Sequence, residues 1–177
     1  MKYKIFRKKE TTNKINKNRR FYKNKMEVYP HLYVIDYESL EESNIIKNRK
    51  INVIVHFSKN KRFLNIDKIE EIRIPVEIEH EPFDIEEVNL NLFSYFWDTT
   101  DYVYQKITDF KNVLIIGLPY RQEVDSFIVA FYIKYGKVNP KYGIYYLKTK
   151  KRNIFYPECM YNMALEKFYH QCNKNQI

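Results

Sequence analysis

The chain has 177 residues, 45% of them hydrophobic and 17% aromatic. That suits one globular domain with a sizeable core and excludes a largely disordered protein. Formal net charge is +9, but the excess is local. Residues 1–25 carry eleven Lys or Arg against Glu10 alone, which leaves 20 of the 31 basic and 21 of the 22 acidic residues for everything after. Residues 1–25 therefore read as a basic, disordered tail suited to nucleic acid or an acidic surface through counterion release, and residues 26–177 as a near-neutral folded domain. No apolar run approaches the roughly 20 residues of a bilayer span, and the charged start lacks the apolar centre of a signal peptide. Two cysteines fit a reducing compartment, so the expectation is an intracellular, cytoplasmic protein. With four scattered histidines, no metal-ligand spacing emerges, and neither metal nor cofactor is expected.

In chain order, MEVYPHLYVID (26–36) reads as a first strand, with Pro30 restricting it to an edge or a bend. Leu40, Ile45 and Ile46 give 36–50 a short helical pattern. INVIVHFS (51–58) is continuously apolar and of strand length, as for a strand buried on both faces. Residues 69–79 alternate Ile69, Ile72, Ile74 and Val76 with charge and read as a further strand. From 84 to 110 an acidic first turn precedes Val88, Leu92, Phe96, Val103 and Ile107 at helical spacing. NVLIIG (112–117) is the most buried-looking strand. It runs through a short loop into a helix over 123–135, with Val124, Phe127, Ile128, Phe131 and Tyr135 inward and Gly136 as its C-cap. Two more helices follow, over 140–152 and 158–172, separated around Pro157. Strands alternating with helices predict an α/β fold, a central, mostly parallel twisted sheet flanked by helices.

These pieces, in this order, resemble a dual-specificity protein phosphatase of the cysteine-dependent tyrosine phosphatase superfamily. VYPHLYV resembles the opening strand, INVIVHFS the second buried strand, and IRIPVEIEHEPFDIEEV the approach to the general-acid loop. VLIIGLPYRQEVDSFIVAFYIKYGKV resembles the catalytic strand, phosphate loop and following helix, and LKTKKRNIFYPECMYNMALEKFY the closing helices. The resemblance spans about Val28 to Cys172. It implies a phosphate loop over Gly117, Leu118, Pro119, Tyr120, Arg121, Gln122 and Glu123.

The family's chemistry is missing from that loop. An ungapped match puts Ile116 at the histidine, Gly117 at the cysteine nucleophile, Tyr120 at a glycine, Glu123 at the arginine and Val124 at the hydroxyl residue. The reaction needs a thiolate held at a low pKa by the helix start, and Gly117 has no side chain. It needs a guanidinium clamping the phosphoryl oxygens, and Glu123 sets a like charge against a dianion, a repulsion of about 4 kcal/mol at about 4 Å. Pro119 withdraws one backbone N–H as well. The general-acid position falls at Ile78, with Glu77 and Glu79 one residue away. Arg121 stands as a candidate displaced anion ligand. Restoring the signature calls for Gly117→Cys with Glu123→Arg.

Other chemistry-bearing residues take ordinary readings. His56 sits in an apolar strand as a satisfied core histidine. Cys159 and Cys172, far from the loop in the resembling fold, read as buried thiols. His170 and Cys172 are two apart on a helix and do not face one another. Lys148, Lys150, Lys151 and Arg152 match a basic stretch of the family and read by default as a solvated helix end, with anion binding as the sharper alternative.

The expected function is a catalytically inactive member of that class, a pseudophosphatase acting by binding, as a scaffold or structural component with a protein partner. The abundance of Lys, Asn, Ile and Tyr looks like an AT-rich coding genome, such as that of a large DNA virus or a protist, and the viral members of the resembling family that pair and are packaged in particles imply a homodimer and a virion location. Two alternatives remain open on the sequence: a residual phosphatase or RNA triphosphatase using Arg121, and a nucleic-acid-binding protein acting through the tail.

Overall fold

The computed structural model describes residues 26–41, 43–76, 85–118, 121–151, 154–155 and 158–174, with the backbone alone for 85–91. The tail 1–25 lies outside them.

Five strands form one sheet: β1 (Met26–Tyr29), β2 (Leu32–Asp36), β3 (Val53–Phe57), β4 (Glu70–Ile74) and β5 (Val113–Gly117). Their order is β1-β2-β5-β3-β4. β1 pairs antiparallel with β2, and every other pairing is parallel. The sequence predicts one strand over 26–36; the chain instead folds back as a hairpin. Pro30 cannot donate to a ladder, and His31 takes a left-handed φ of 65°, so the two residues make the turn.

The helices are α1 (Tyr37–Glu41), α2 (Ile45–Asn48), α3 (Ile85–Thr108), α4 (Glu123–Gly136), α5 (Pro140–Lys150) and α6 (Asn162–Lys174). Alternation along the strands sorts them into layers. Val53, Val55, Val113 and Ile115 face a core shared with α3, α4 and α6, whereas Ile54, Leu114 and Ile116 face a smaller one with Leu40 and Ile45. α4 is central, and every residue from Glu123 to Ile133 is buried, which is why its apolar content exceeds a single stripe. Gly136 is its last helical residue, and the left-handed C-cap is Lys137, with φ 55°. Asn139 caps α5, its side chain accepting from the Tyr142 N–H with Pro140 in the first turn.

His56 is fully buried, and both ring nitrogens are engaged, Nδ1 with the Tyr37 hydroxyl and Nε2 with Glu71, each at 2.8 Å. Burial lowers its pKa despite the carboxylate. Such a ring is neutral, accepting from Tyr37 and donating to Glu71. It is a satisfied core histidine.

Candidate functional site

In open α/β sheets, ligands gather at the carboxyl ends of the strands, where the topology reverses. Here that point is the end of β5, flanked in register by the ends of β2 and β3: Asp36 and Phe57 each lie beside Gly117. The predicted phosphate-loop equivalent leaves from this point and enters α4. Pro119 and Tyr120 lie outside the described residues, as do Ile78, Glu77 and Glu79 at the general-acid position and Arg152.

Gly117 does not owe its identity to backbone conformation, because no described glycine has a positive φ. Space decides it. A Cβ at 117 would stand 2.3 Å from Cγ2 of Val124. Val124 is itself buried, at 6% exposure. Its methyl thus fills the volume into which a side chain at 117 would project. Ile116 turns to the opposite face, into the smaller core.

Glu123, the first residue of α4, is 4% exposed. Burial pushes its carboxyl above the ordinary carboxylate range; its own N–H, the Arg121 charge and the Tyr161 hydroxyl pull the other way. Oε2 has no hydrogen-bond partner. Tyr161, 1% exposed, has its phenol pushed far up by burial and by this same carboxylate, so it donates to Glu123. A side-chain carboxylate therefore occupies the helix start, where backbone N–H groups would otherwise attract a free anion. Asp36 is a second buried carboxylate at this edge, accepting from Ser39 N (2.7 Å) and Ser39 Oγ (2.9 Å) as the cap of α1.

The loop's exit is fastened from outside. Gln122 holds the N-cap position of α4 without capping it. Its amide instead donates to the Glu158 carbonyl (3.1 Å) and accepts from Met160 N (3.0 Å). This lacing draws Cys159, between Glu158 and Met160, toward the N-terminal end of α4. The resembling fold implied a cysteine far from the loop; the Gln122 bridge is the reason it is not. Burial pushes the Cys159 thiol up to about 11, so at neutral pH it stays protonated and poorly nucleophilic. Cys172 is buried and its thiol is likewise raised.

The basic run divides. Lys148 and Lys150 are exposed, as expected of a solvated helix end. Lys151 is not: its Nζ reaches Asp125 Oδ1 at 2.6 Å, with side-chain exposures of 13% and 6%. Burial drives the Asp125 carboxyl up and Lys151 opposes it. The pair ties the end of α5 to the first turn of α4, so Lys151 braces the loop's helix and is not a solvated cation. Sequence reasoning named Val124 and Gln122 but not what they touch, and it missed Tyr161 and this ion pair. A β-branched apolar residue directly after Glu123, matched with a glycine seven residues earlier, was the available signal.

No family model matches the sequence, and no curated protein matches it at significance. Solved structures do. Human DUSP28 is 13% identical, with a TM-score of 0.69 over 84% of this chain and 98% of that one. A leucine rich repeat and phosphatase domain containing protein from Entamoeba histolytica is 15% identical, with a TM-score of 0.65 over 86% and 95%. Human tyrosine phosphatase-like serine/threonine/tyrosine-interacting protein is 13% identical, with a TM-score of 0.62 over 82% and 95%. Identities this low speak for fold alone. The chain is structurally similar to dual-specificity phosphatases of the tyrosine phosphatase superfamily, with a five-stranded, mostly parallel sheet flanked by helices.

Proposed function

We propose that this protein is a pseudophosphatase: a dual-specificity phosphatase-like domain that hydrolyses no phosphoester and acts by binding a protein partner, as a scaffold or structural component. The observation that carries the reading is the pairing of Gly117 with Val124, in which a methyl group takes the volume of the family's nucleophile, 2.3 Å from where a Cβ would be. Glu123 supports it, since a buried carboxyl side chain at the start of α4 stands where an arginine would clamp the dianion and supplies no cation there. Without a nucleophile a general acid yields no turnover, whichever residue of 77–79 takes that position. One structurally similar protein carries "interacting" in its name, which agrees with a binding role on this scaffold. The surface over Leu118 and Arg121, less polar than a phosphate cradle, is the first place to look for the partner.

The test is hydrolysis of a generic aryl phosphate by the full chain, with an Arg121→Ala variant beside it. The expected result is no turnover above the buffer rate in either protein. Turnover that disappears in Arg121→Ala would reject the reading and favour a rebuilt phosphatase or RNA triphosphatase loop.

A further inference from the structure

We propose that the loop 58–66, between β3 and β4, docks an acidic segment of a partner protein, with carboxylates against Lys61 and Arg62 and an apolar side chain against Leu64. The loop borders the edge that carries Gly117, but its residues are separate from that site. The inference holds whether or not the domain hydrolyses phosphoesters.

The loop has no regular secondary structure, and residues 59–65 are all exposed. Side chains from the sheet nevertheless fix its backbone from end to end. Ser58, 1% exposed, accepts from Asn60 N (3.3 Å) and Lys61 N (3.1 Å) through its hydroxyl. Glu71 on β4 accepts from Leu64 N (2.8 Å) and Ile66 N (3.4 Å), and is itself held by the buried His56. Arg73 on β4 donates to the Lys59 and Lys61 carbonyls. Its guanidinium covers the Phe63 ring at 4.5 Å. Ordering seven exposed residues costs chain entropy on folding, and a loop already ordered loses less on binding. Loops held in one conformation by a rigid scaffold are where binding residues concentrate.

What the loop presents selects the partner. Lys59, Lys61 and Arg62 are three cations within four residues, and 58–66 contains no acid. Among the described residues, neither Lys61 nor Arg62 is in an ion pair. Glu71, the carboxylate beneath the loop, is engaged by His56, Leu64 and Ile66. Lys61 Nζ stands 5.5 Å from the centre of the Tyr37 ring, which positions the cation. Phe63 and Leu64 are 39% and 37% exposed, two adjacent members of the seven exposed large hydrophobic residues among the described ones. Cations beside an apolar side chain fit a peptide that carries carboxylates and buries an apolar residue, and clustered cations recur where acidic motifs are recognised. A single-stranded nucleic acid would meet the same cations but needs an aromatic face for its bases. Phe63, the loop's one aromatic residue, already lies under Arg73 and packs against His56, ring centres 5.4 Å apart.

The test is fluorescence anisotropy of a labelled peptide of glutamates and leucines, titrated with the full chain. The same peptide with glutamine for glutamate, and labelled oligouridylate, are run beside it. Lys61→Gln with Arg62→Gln is expected to weaken binding of the acidic peptide on the order of 10-fold. Both side chains are exposed, so the melting curve should not change. Leu64→Ser is expected to weaken binding about 5-fold, a loss that attraction to the basic residues of 1–25 cannot produce. Ser58→Ala keeps every charge but releases the Asn60 and Lys61 amides, and is expected to weaken binding about 3-fold. The glutamine peptide should not bind. Equal binding of the acidic peptide by wild type and by the Lys61→Gln, Arg62→Gln variant would overturn the proposal, leaving the tail as the whole attraction. So would oligouridylate binding that disappears in that variant while the acidic peptide fails to bind.

Discussion

Gly117→Cys made alone is expected to destabilise the protein by about 3 kcal/mol, the upper part of the range for overfilling a well-packed site. The reason is the Val124 methyl, 2.3 Å from the new Cβ. Val124 cannot simply rotate away, because it is β-branched, 6% exposed and set in the main core. Val124→Ala alone should also destabilise, by about 2 kcal/mol, through the cavity it leaves. The informative result is the double variant. Gly117→Cys with Val124→Ala puts a sulfur where a methyl was removed, so its cost should fall below the sum of the single costs by about 1–3 kcal/mol. Urea unfolding of the four proteins measures this coupling. Strict additivity would show that the two residues do not share one volume. A practical consequence follows for any attempt to rebuild a phosphatase here: Gly117→Cys with Glu123→Arg leaves the obstruction in place, and Val124→Ser belongs in the same variant.

Loss of the cation from the buried ion pair should have an effect of similar size. Lys151→Met leaves Asp125 at 4% exposure without its partner at 2.6 Å, and the expected destabilisation is about 3–5 kcal/mol at neutral pH. The sign of the pH dependence is fixed by the direction of the shift. Burial already raises the Asp125 carboxyl, and Lys151 is what opposes it. Without the lysine the folded protein binds a proton more tightly than the unfolded chain does. The deficit relative to wild type should therefore shrink as pH falls from neutral toward the ordinary aspartate range near 4. Lys151→Met combined with Asp125→Asn should recover most of the loss. A deficit independent of pH would mean that lost packing of the lysine stem is responsible, and not the stranded carboxylate.

The parts of the fold that were legible in the sequence are those where one local signal suffices. INVIVHFS and NVLIIG are dominated by apolar residues, and each contains a parallel strand buried on both faces. The long helix of 85–108 and the central helix of 123–136 followed from periodicity. The first hairpin was not legible, because Pro30–His31 gives no glycine signal and its left-handed residue is a histidine. Gly136 looked like a C-cap for the opposite reason, a glycine at the right place, although Lys137 takes the left-handed turn.

The site divides along the same line. What the loop lacks in chemistry could be read residue by residue, since the identities of Gly117 and Glu123 are in the sequence. What fills the loop could not, because the contacts join distant positions. Asp125 and Lys151 are 26 residues apart. An acid in the first turn of a helix reads as a dipole partner, and a lysine at a helix end reads as solvated, until the fold places them together. Gln122 likewise reads only as a loop residue, and its bonds to Glu158 and Met160 depend on where the closing helix begins.

Whether the start of α4 still accepts a tetrahedral oxyanion bears most directly on the proposed role. Tungstate titration of the full chain, followed by the amide resonances of Leu118 and of Arg121 through Glu123, puts that question to the loop itself. A site already occupied by the Glu123 carboxylate and the Val124 methyl predicts no saturable change at millimolar tungstate. A saturable shift confined to those amides would contradict it, and would mean that the phosphate cradle is intact beneath its altered residues.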